Sequence, residues 1–208
     1  MSTVIPPVDL PDVPERGRRL TPDERRNQLV AAGLELAKSG PVTSVTAIEV
    51  ANRAGVSKGL VFHYFPTQTD LHTAVARAGA DELRALLAQI DTSLSRHQQL
   101  AQGLSIFIGY MEQQPNTFAA FARNANADPR LNAVSEETRN GIVEIIAAAL
   151  GVKDLPPRSR LFLRGWIAMV EEMTLDWFTN PAIERDELID VLVQAAFQFL
   201  AWATARPS

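Results

Sequence analysis

The 208-residue chain contains no cysteine. That excludes disulfide frameworks, thiolate zinc sites, thiol nucleophiles and redox sensing through cysteine. It has only three histidines, His63, His72 and His97, and no two stand at a metal-ligand spacing such as i, i+4. No Ser/His/Asp order, glycine-rich phosphate loop or carboxylate pair in a catalytic setting stands out, so no enzyme, cofactor or metal is expected. Long apolar runs are missing too. No stretch of 18 apolar residues exists, and the first 19 residues lack the apolar region of a signal peptide. The expectation is a soluble cytoplasmic protein. No segment alternates with a sustained period of two, so no sheet is expected. No internal repeat is apparent.

What is present suits a folded core. Hydrophobic residues make up 46% and charged residues 21%, enough for one domain or for a small domain fused to a larger one. The net charge of −4 is unevenly spread: residues 14–80 carry nine Lys/Arg against six acids, and residues 81–208 carry 11 against 16. A basic head on an acidic body is compatible with nucleic-acid binding. Chance scatter also produces such an asymmetry, so charge alone does not decide.

Residues 1–15 contain Pro6, Pro7, Pro11 and Pro14 with little periodicity, which predicts an extended or disordered leader. Arg16-Gly17-Arg18-Arg19 follows. Everything after this cluster reads helical. Thr21-Pro22-Asp23-Glu24 is a helix start with a capping box, followed by Leu29, Val30, Gly33, Leu34 and Ala37 at helical spacing. Gly40-Pro41 ends that helix. Thr46 with Glu49 opens a short helix that stops at Gly55. Ser57 opens another, ended at Pro66. Thr67 with Asp70 opens a long helix with the stripe Leu71, Val75, Leu83, Leu86, Leu87 and Ile90. Five further helices are expected near 96–114, 116–126, 129–151, 157–180 and 185–204, separated by Pro115, Pro129, Gly151 with Pro156-Pro157, and Asn180-Pro181.

The informative stretch runs from Thr46 to Phe65. Two short helices meet around Ala54-Gly55-Val56-Ser57. A helix-turn-helix needs a small residue where the helices cross, a residue tolerant of positive φ in the turn, and apolar residues locking the second helix. Ala51, Gly55, and Val56 with Val61 meet those needs. The spacing turns Ser57, Lys58, Leu60, His63 and Tyr64 toward solvent, where they could meet phosphates and base edges. The turn favours the helix-turn-helix, although an ordinary helical hairpin carrying an exposed polar face is also compatible with it.

The run from Thr46 to Leu71, ending Lys58-Gly-Leu-Val-Phe-His-Tyr-Phe-Pro-Thr-Gln-Thr-Asp-Leu71, resembles the DNA-binding domain of TetR-type (tetracycline-repressor-like) transcriptional regulators. The resemblance covers residues 22–75. The remainder is similar only in length and helical character. It implies an all-α fold of about nine helices. These comprise a flexible basic arm (1–20), a three-helix helix-turn-helix domain (21–66) and a helical effector-binding and dimerisation domain (67–208). It implies a recognition helix at Ser57–Tyr64, with Lys58, Gly59, Leu60 and Tyr64 facing the groove and Thr46 and Ala47 near a phosphate. Two positions depart from the family's pattern. Phe62 replaces a Tyr whose hydroxyl touches a phosphate, and Gln68 replaces a frequent Lys, so both remove phosphate contacts. His63, Tyr64 and Thr67 are candidates to compensate. So are Arg16, Arg18 and Arg19, if the arm reaches a minor groove rather than serving as a solubilising tail.

In the body, the helix near 157–180 is apolar nearly all round, and the last helix has the wide stripe Leu188, Ile189, Leu192, Val193, Ala196, Phe199 and Leu200. Such helices need cover on several sides. A homodimer formed through a four-helix bundle is expected, with Arg164, Glu171, Glu172 and Asp176 at its edges. The bulky residues Phe107, Tyr110, Met111, Phe118, Phe121, Ile146, Trp166, Met169, Val170, Met173 and Trp177 are candidates to line an effector cavity. Tyr110, Asn124 or Glu172 would be its polar anchors. Each of these bulky residues suits plain core packing as well. The expected function is a sequence-specific DNA-binding repressor, released from a palindromic operator by a small apolar or amphipathic effector. The expected partners are thus duplex DNA, that effector and a second copy of the chain, without a membrane. A small hydrophobe-binding or interaction protein, reusing the fold with weakened DNA binding, is the alternative.

Overall fold

A computed structural model describes residues 20–114, 128–149 and 154–204. These residues form eight α-helices and no strand: α1 (Pro22–Ala37), α2 (Ala47–Ala54), α3 (Lys58–Tyr64), α4 (Gln68–Leu87), α5 (Arg96–Glu112), α6 (Pro129–Ala149), α7 (Pro157–Thr179) and α8 (Arg185–Thr204). A single 3₁₀ turn, Val42–Ser44, joins α1 to α2. The helix expected at 116–126 lies outside the described residues.

Helix starts are set by short side chains. Thr21, Thr46 and Thr67 each accept the N–H three residues on, while Glu24, Glu49 and Asp70 return a carboxylate to the capping residue's own N–H. Ser95 with Gln98 makes a fourth such box at α5. Each satisfies backbone donors that a helix start leaves without partners, worth about 1 kcal/mol.

The head is α1, α2, α3 and the first half of α4, packed around Leu29, Val50, Val61, Leu71 and Val75. Burying each of these side chains contributes roughly 1.5–3 kcal/mol. At Gly33 the crossing of α1 over α4 is so close that a Cβ would stand 2.5 Å from Val75 Cγ2. The second half of α4 buries Leu83 and Leu87 against Tyr110 and Met111 of the body. One helix therefore belongs to both cores, and the expected domain boundary at 66/67 falls at its start. Two ion pairs reinforce the joint between α4 and α6: Arg130 to Asp70 at 2.9 Å and Arg77 to Glu137 at 3.4 Å.

The body's main core is Leu104, Ile108, Val143, Leu163, Trp166, Ile167, Val170, Leu192 and Val193. Trp166 Nε1 donates to the Leu192 carbonyl at 2.9 Å and Trp177 Nε1 to the Ile183 carbonyl at 2.8 Å, so α7 and α8 run antiparallel. Arg185 Nη2 donates to the Ser105 carbonyl at 2.9 Å and ties the start of α8 to α5. Charged side chains zip α6 to α7: Arg160 to Glu144 and Arg139 to Glu171, both at 2.6 Å, and Arg164 to Glu136 and Asn140. Arg164 and Glu171, expected from sequence at the edges of a dimer bundle, thus serve a seam within one chain. Their acceptors and donors on α6 were too distant in sequence to be read. No described helix is long and apolar enough to cross a membrane.

Candidate nucleic-acid interface and effector cavity

The turn between α2 and α3 is built as its sequence dictates. Gly55 takes φ 67° and ψ 35°, and its N–H bonds back to the carbonyls of Ala51 and Asn52. This left-handed cap suits glycine because a Cβ is disfavoured there. Ser57 then restarts the chain, its Oγ accepting the Leu60 N–H at 3.2 Å. Val61 is fully buried and pins α3 to the head. Gln28 Nε2 of α1 donates to the Ala54 carbonyl at 3.3 Å and steadies the end of α2.

With Val61 inward, the opposite face of α3 is exposed. Ser57, Lys58, Gly59, Phe62 and His63 are exposed, and Leu60 and Tyr64 are half-buried. Lys58 Nζ lies 5.5 Å from the centroid of the Phe62 ring, one helical turn away. The two residues form one surface, a cation resting on an aromatic face. Tyr64 leans on the head core and meets His63 edge-on, with ring centroids 5.3 Å apart.

The other expected contacts are differently disposed. Ala47 is buried, which leaves only its backbone N–H, without an intrahelical acceptor at the start of α2, as a contact. Thr46 Oγ1 donates to Glu49 Oε2 and Thr67 Oγ1 to Asp70 Oδ2, both at 2.7 Å. These hydrogen bonds hold both carboxyls below their ordinary range, so the groups stay charged and the threonine protons stay engaged. Gln68 turns inward: its Nε2 donates to the Val45 carbonyl and lies 3.0 Å from His72 Nε2. His72 is buried beside the same carbonyl, at 2.9 Å. Gln68 therefore braces the floor of α2, a role invisible without the tertiary contact. Ile48, beside Thr46, is 52% exposed and was not singled out from sequence. Arg16, Arg18 and Arg19 lie outside the described residues.

The cavity lies in the body, between the end of α4 and helices α5 to α8. It is an open-mouthed space of about 880 Å³, the solvent at its mouth included. Of the expected lining, Phe107, Ile146, Trp166 and Val170 are brought together here, joined by Leu100, Gly103, Ile145, Phe197 and Leu200, which the reading did not assign to it. Tyr110 and Met111 line a separate hollow of about 640 Å³ between α1, α4, α5 and α6. Tyr110 Oη there lies 3.0 Å from the Gly79 carbonyl and 3.1 Å from Glu82 Oε2, and burial pushes its pKa up to about 12, so it remains a donor. Met169, Met173 and Trp177 line neither space. They repeat every four residues on a different stripe of α7 and pack against the body core. Glu172 is exposed and anchors nothing in the cavity. Phe118, Phe121 and Asn124 lie outside the described residues.

The polar groups at the cavity are Arg96, Gln99 and Glu171. None was anticipated as an anchor. Arg96 and Gln99 follow the Ser95 cap, so the capping box was the available signal.

The comparisons agree with this arrangement. Residues 29–75 match the model of bacterial regulatory proteins of the tetR family, and residues 96–199 match that of the tetracyclin repressor-like C-terminal domain. The chain is 26% identical over 189 residues to the HTH-type transcriptional activator FasR of Mycolicibacterium smegmatis, covering 88% of this chain and 85% of that protein. It is 37% identical over 79 residues to the HTH-type transcriptional regulator BetI of Escherichia coli, covering 38% of this chain and 37% of BetI. A tetR-family transcriptional regulator from Streptomyces coelicolor superposes with a TM-score of 0.78 at 27% identity, covering 88% of this chain and 83% of that one. The multidrug binding protein EbrR, solved with proflavin, shares the fold with a TM-score of 0.63 at 18% identity, over 83% of this chain and 99% of that one. With helix-turn-helix and effector-type body both matched, the chain belongs to the tetR family of bacterial DNA-binding transcriptional regulators.

Proposed function

We propose that the protein is a homodimeric repressor that binds a palindromic operator and leaves it when a small apolar or amphipathic molecule enters the body cavity. The carrying observation is the exposed face of α3, Lys58 with Phe62, His63 and Tyr64, mounted on a rigid head. Such a face docks in a major groove with its N-terminal residues toward base edges. Lys58 is the base-reading candidate. Ser57, His63, the backbone at Thr46 and Ala47, and Thr67 at the start of α4 are the phosphate-facing ones, while Gln68, turned to the Val45 carbonyl, is not. Arg16, Arg18 and Arg19, which precede α1 in the sequence, are the candidates for an adjacent minor groove. A regulator meeting chromosomal DNA works in the cytoplasm.

Dimerisation is supported by apolar surface left on α7 and α8. Leu161 is 70% exposed, Val191 43% and Phe199 38%, and Phe162 stacks on Phe199 at 6.0 Å. Gly165, on the same helix as Leu161 and Phe162, has open space where a Cβ would stand. Apolar residues along two antiparallel helices fit the same pair from a second copy.

Release follows from the sharing of α4. Its end walls the cavity and its beginning packs into the head, so an occupant that favours one placement of α4 favours one separation of the two heads. A separation that mismatches the half-sites loses the operator. The test is selection of bound fragments from the host's genomic DNA by the purified protein. An enriched near-palindrome supports the reading; no enrichment from a folded, ligand-free dimer refutes it.

A further inference from the structure

We infer that the occupant of the body cavity is an amphiphile with an apolar body and an anionic end, the anion seated at Arg96. This deepens the effector reading above and rests on it. The cavity's charged groups decide the matter, because Glu171 is already paired within the protein and Arg96 has no ion pair among the described residues.

Glu171 is held by Arg139, with Nη2 at 2.6 Å from Oε2 and Nε at 3.1 Å from both carboxylate oxygens. That pair brings no net charge to the wall. Gln99 directs its amide nitrogen to the carbonyls of Leu94 at 2.7 Å and Thr92 at 3.3 Å. Both of its N–H groups are engaged there. Arg96 is exposed at the rim and has no ion pair among the described residues. It opens α5, so the positive end of the helix dipole adds to its charge. The nearest acid along the chain, Asp91, has its carboxylate on the Ser93 N–H at 2.8 Å, inside the preceding turn.

The remainder of the wall is apolar. It runs from Arg96 and Leu100 at the rim to Phe107, eleven residues along α5, a span of about 16 Å. Trp166, Ile167 and Val170 face it from α7, and Phe197, stacked on His97 at 5.4 Å, lines it from α8. A neutral ligand would leave the guanidinium unused, and a cationic one would be repelled by it. An anion joins it by charge-assisted hydrogen bonds while the tail displaces water from the apolar wall.

The test is titration calorimetry of the full chain with decanoate, 1-decanol and decylammonium, which share a ten-carbon tail and differ in head charge. Decanoate is expected to bind about fivefold more tightly than decanol, the discount for an exposed cation included, and decylammonium most weakly. Arg96→Gln should bring decanoate down to decanol while leaving decanol unchanged. Gly103→Leu, whose Cβ meets only the side-chain tips of Ile90 and Leu87, should fill the cavity and weaken all three. Equal binding of the three probes, or a decanoate preference that survives Arg96→Gln, overturns the anionic inference and leaves the cavity as effector site; binding of the probes unchanged by Gly103→Leu overturns it by placing them outside the cavity. If none of the three binds, the effector-cavity reading falls with it.

Discussion

Gly55→Ala isolates the conformational demand of the helix-turn-helix from its packing. A Cβ built at Gly55 meets no atom within 4 Å, so sterics with neighbours cost nothing. The cost comes from the backbone, which sits at φ 67°. An L-residue in the left-handed region costs roughly 1–2 kcal/mol. Alanine also narrows the unfolded ensemble, offsetting about 0.4–1 kcal/mol. The net is a loss of about 1 kcal/mol, which in a chain of this size lowers the melting temperature by roughly 2–4 °C. Gly55→Asn should lose less, since asparagine visits this region more readily. Urea denaturation followed by far-ultraviolet circular dichroism reads the difference as a shifted midpoint at unchanged slope. Below the transition, DNA affinity should stay within a fewfold of wild type, because no contact residue moves. An alanine variant as stable as wild type, or an asparagine variant weaker than alanine, refutes the reasoning.

Four more outcomes follow from named contacts. Lys58→Ala should cost roughly 1–3 kcal/mol on the specific site, measured by anisotropy titration, if Lys58 reads a base; a uniform loss on all DNA with a shallower salt slope would make it a phosphate contact. Leu161→Glu should shift the protein from dimer to monomer in light scattering, and an unchanged mass would place the interface elsewhere. Removing residues 1–19 should weaken DNA binding and flatten its salt dependence, whereas unchanged affinity would make the segment a tail. Acid stability should depend on Glu136, whose carboxyl the Arg164 hydrogen bond, and then Arg139, hold below the ordinary range. A depressed carboxylate stabilises the fold above its unfolded pKa, about 4.3, and loses that contribution as pH falls through its folded value. Melting temperature should therefore drop below about pH 4.3 in wild type and drop less steeply in Arg164→Ala.

Local chemistry made the head legible in the sequence. Thr21, Thr46 and Thr67 announce helix starts by contacts three residues away, and Gly55 announces the turn by its own backbone freedom. Every informative partner sits within one helical turn. The cavity was legible only in outline. Phe107 and Tyr110 are three residues apart on α5 and equally bulky, yet they line different spaces. Which stripe of α7 meets the cavity, Trp166 with Val170 or Met169 with Met173, depends on how α7 crosses α6 and α8. Pairs such as Arg139 with Glu171, 32 residues apart, set that crossing. Gln68 carries the same lesson inside the head. Its chemistry suits a phosphate, but its position hands it to the Val45 carbonyl.

The central claim is that two copies of this chain recognise one DNA sequence through α3. The direct measurement is anisotropy titration of the genomically selected fragment against a scrambled fragment of equal length, at about 100 mM salt, with the stoichiometry read in the same experiment. The account predicts a complex of two chains per site, roughly a thousandfold or more tighter than on the scrambled fragment. Equal affinities for the two fragments would contradict it.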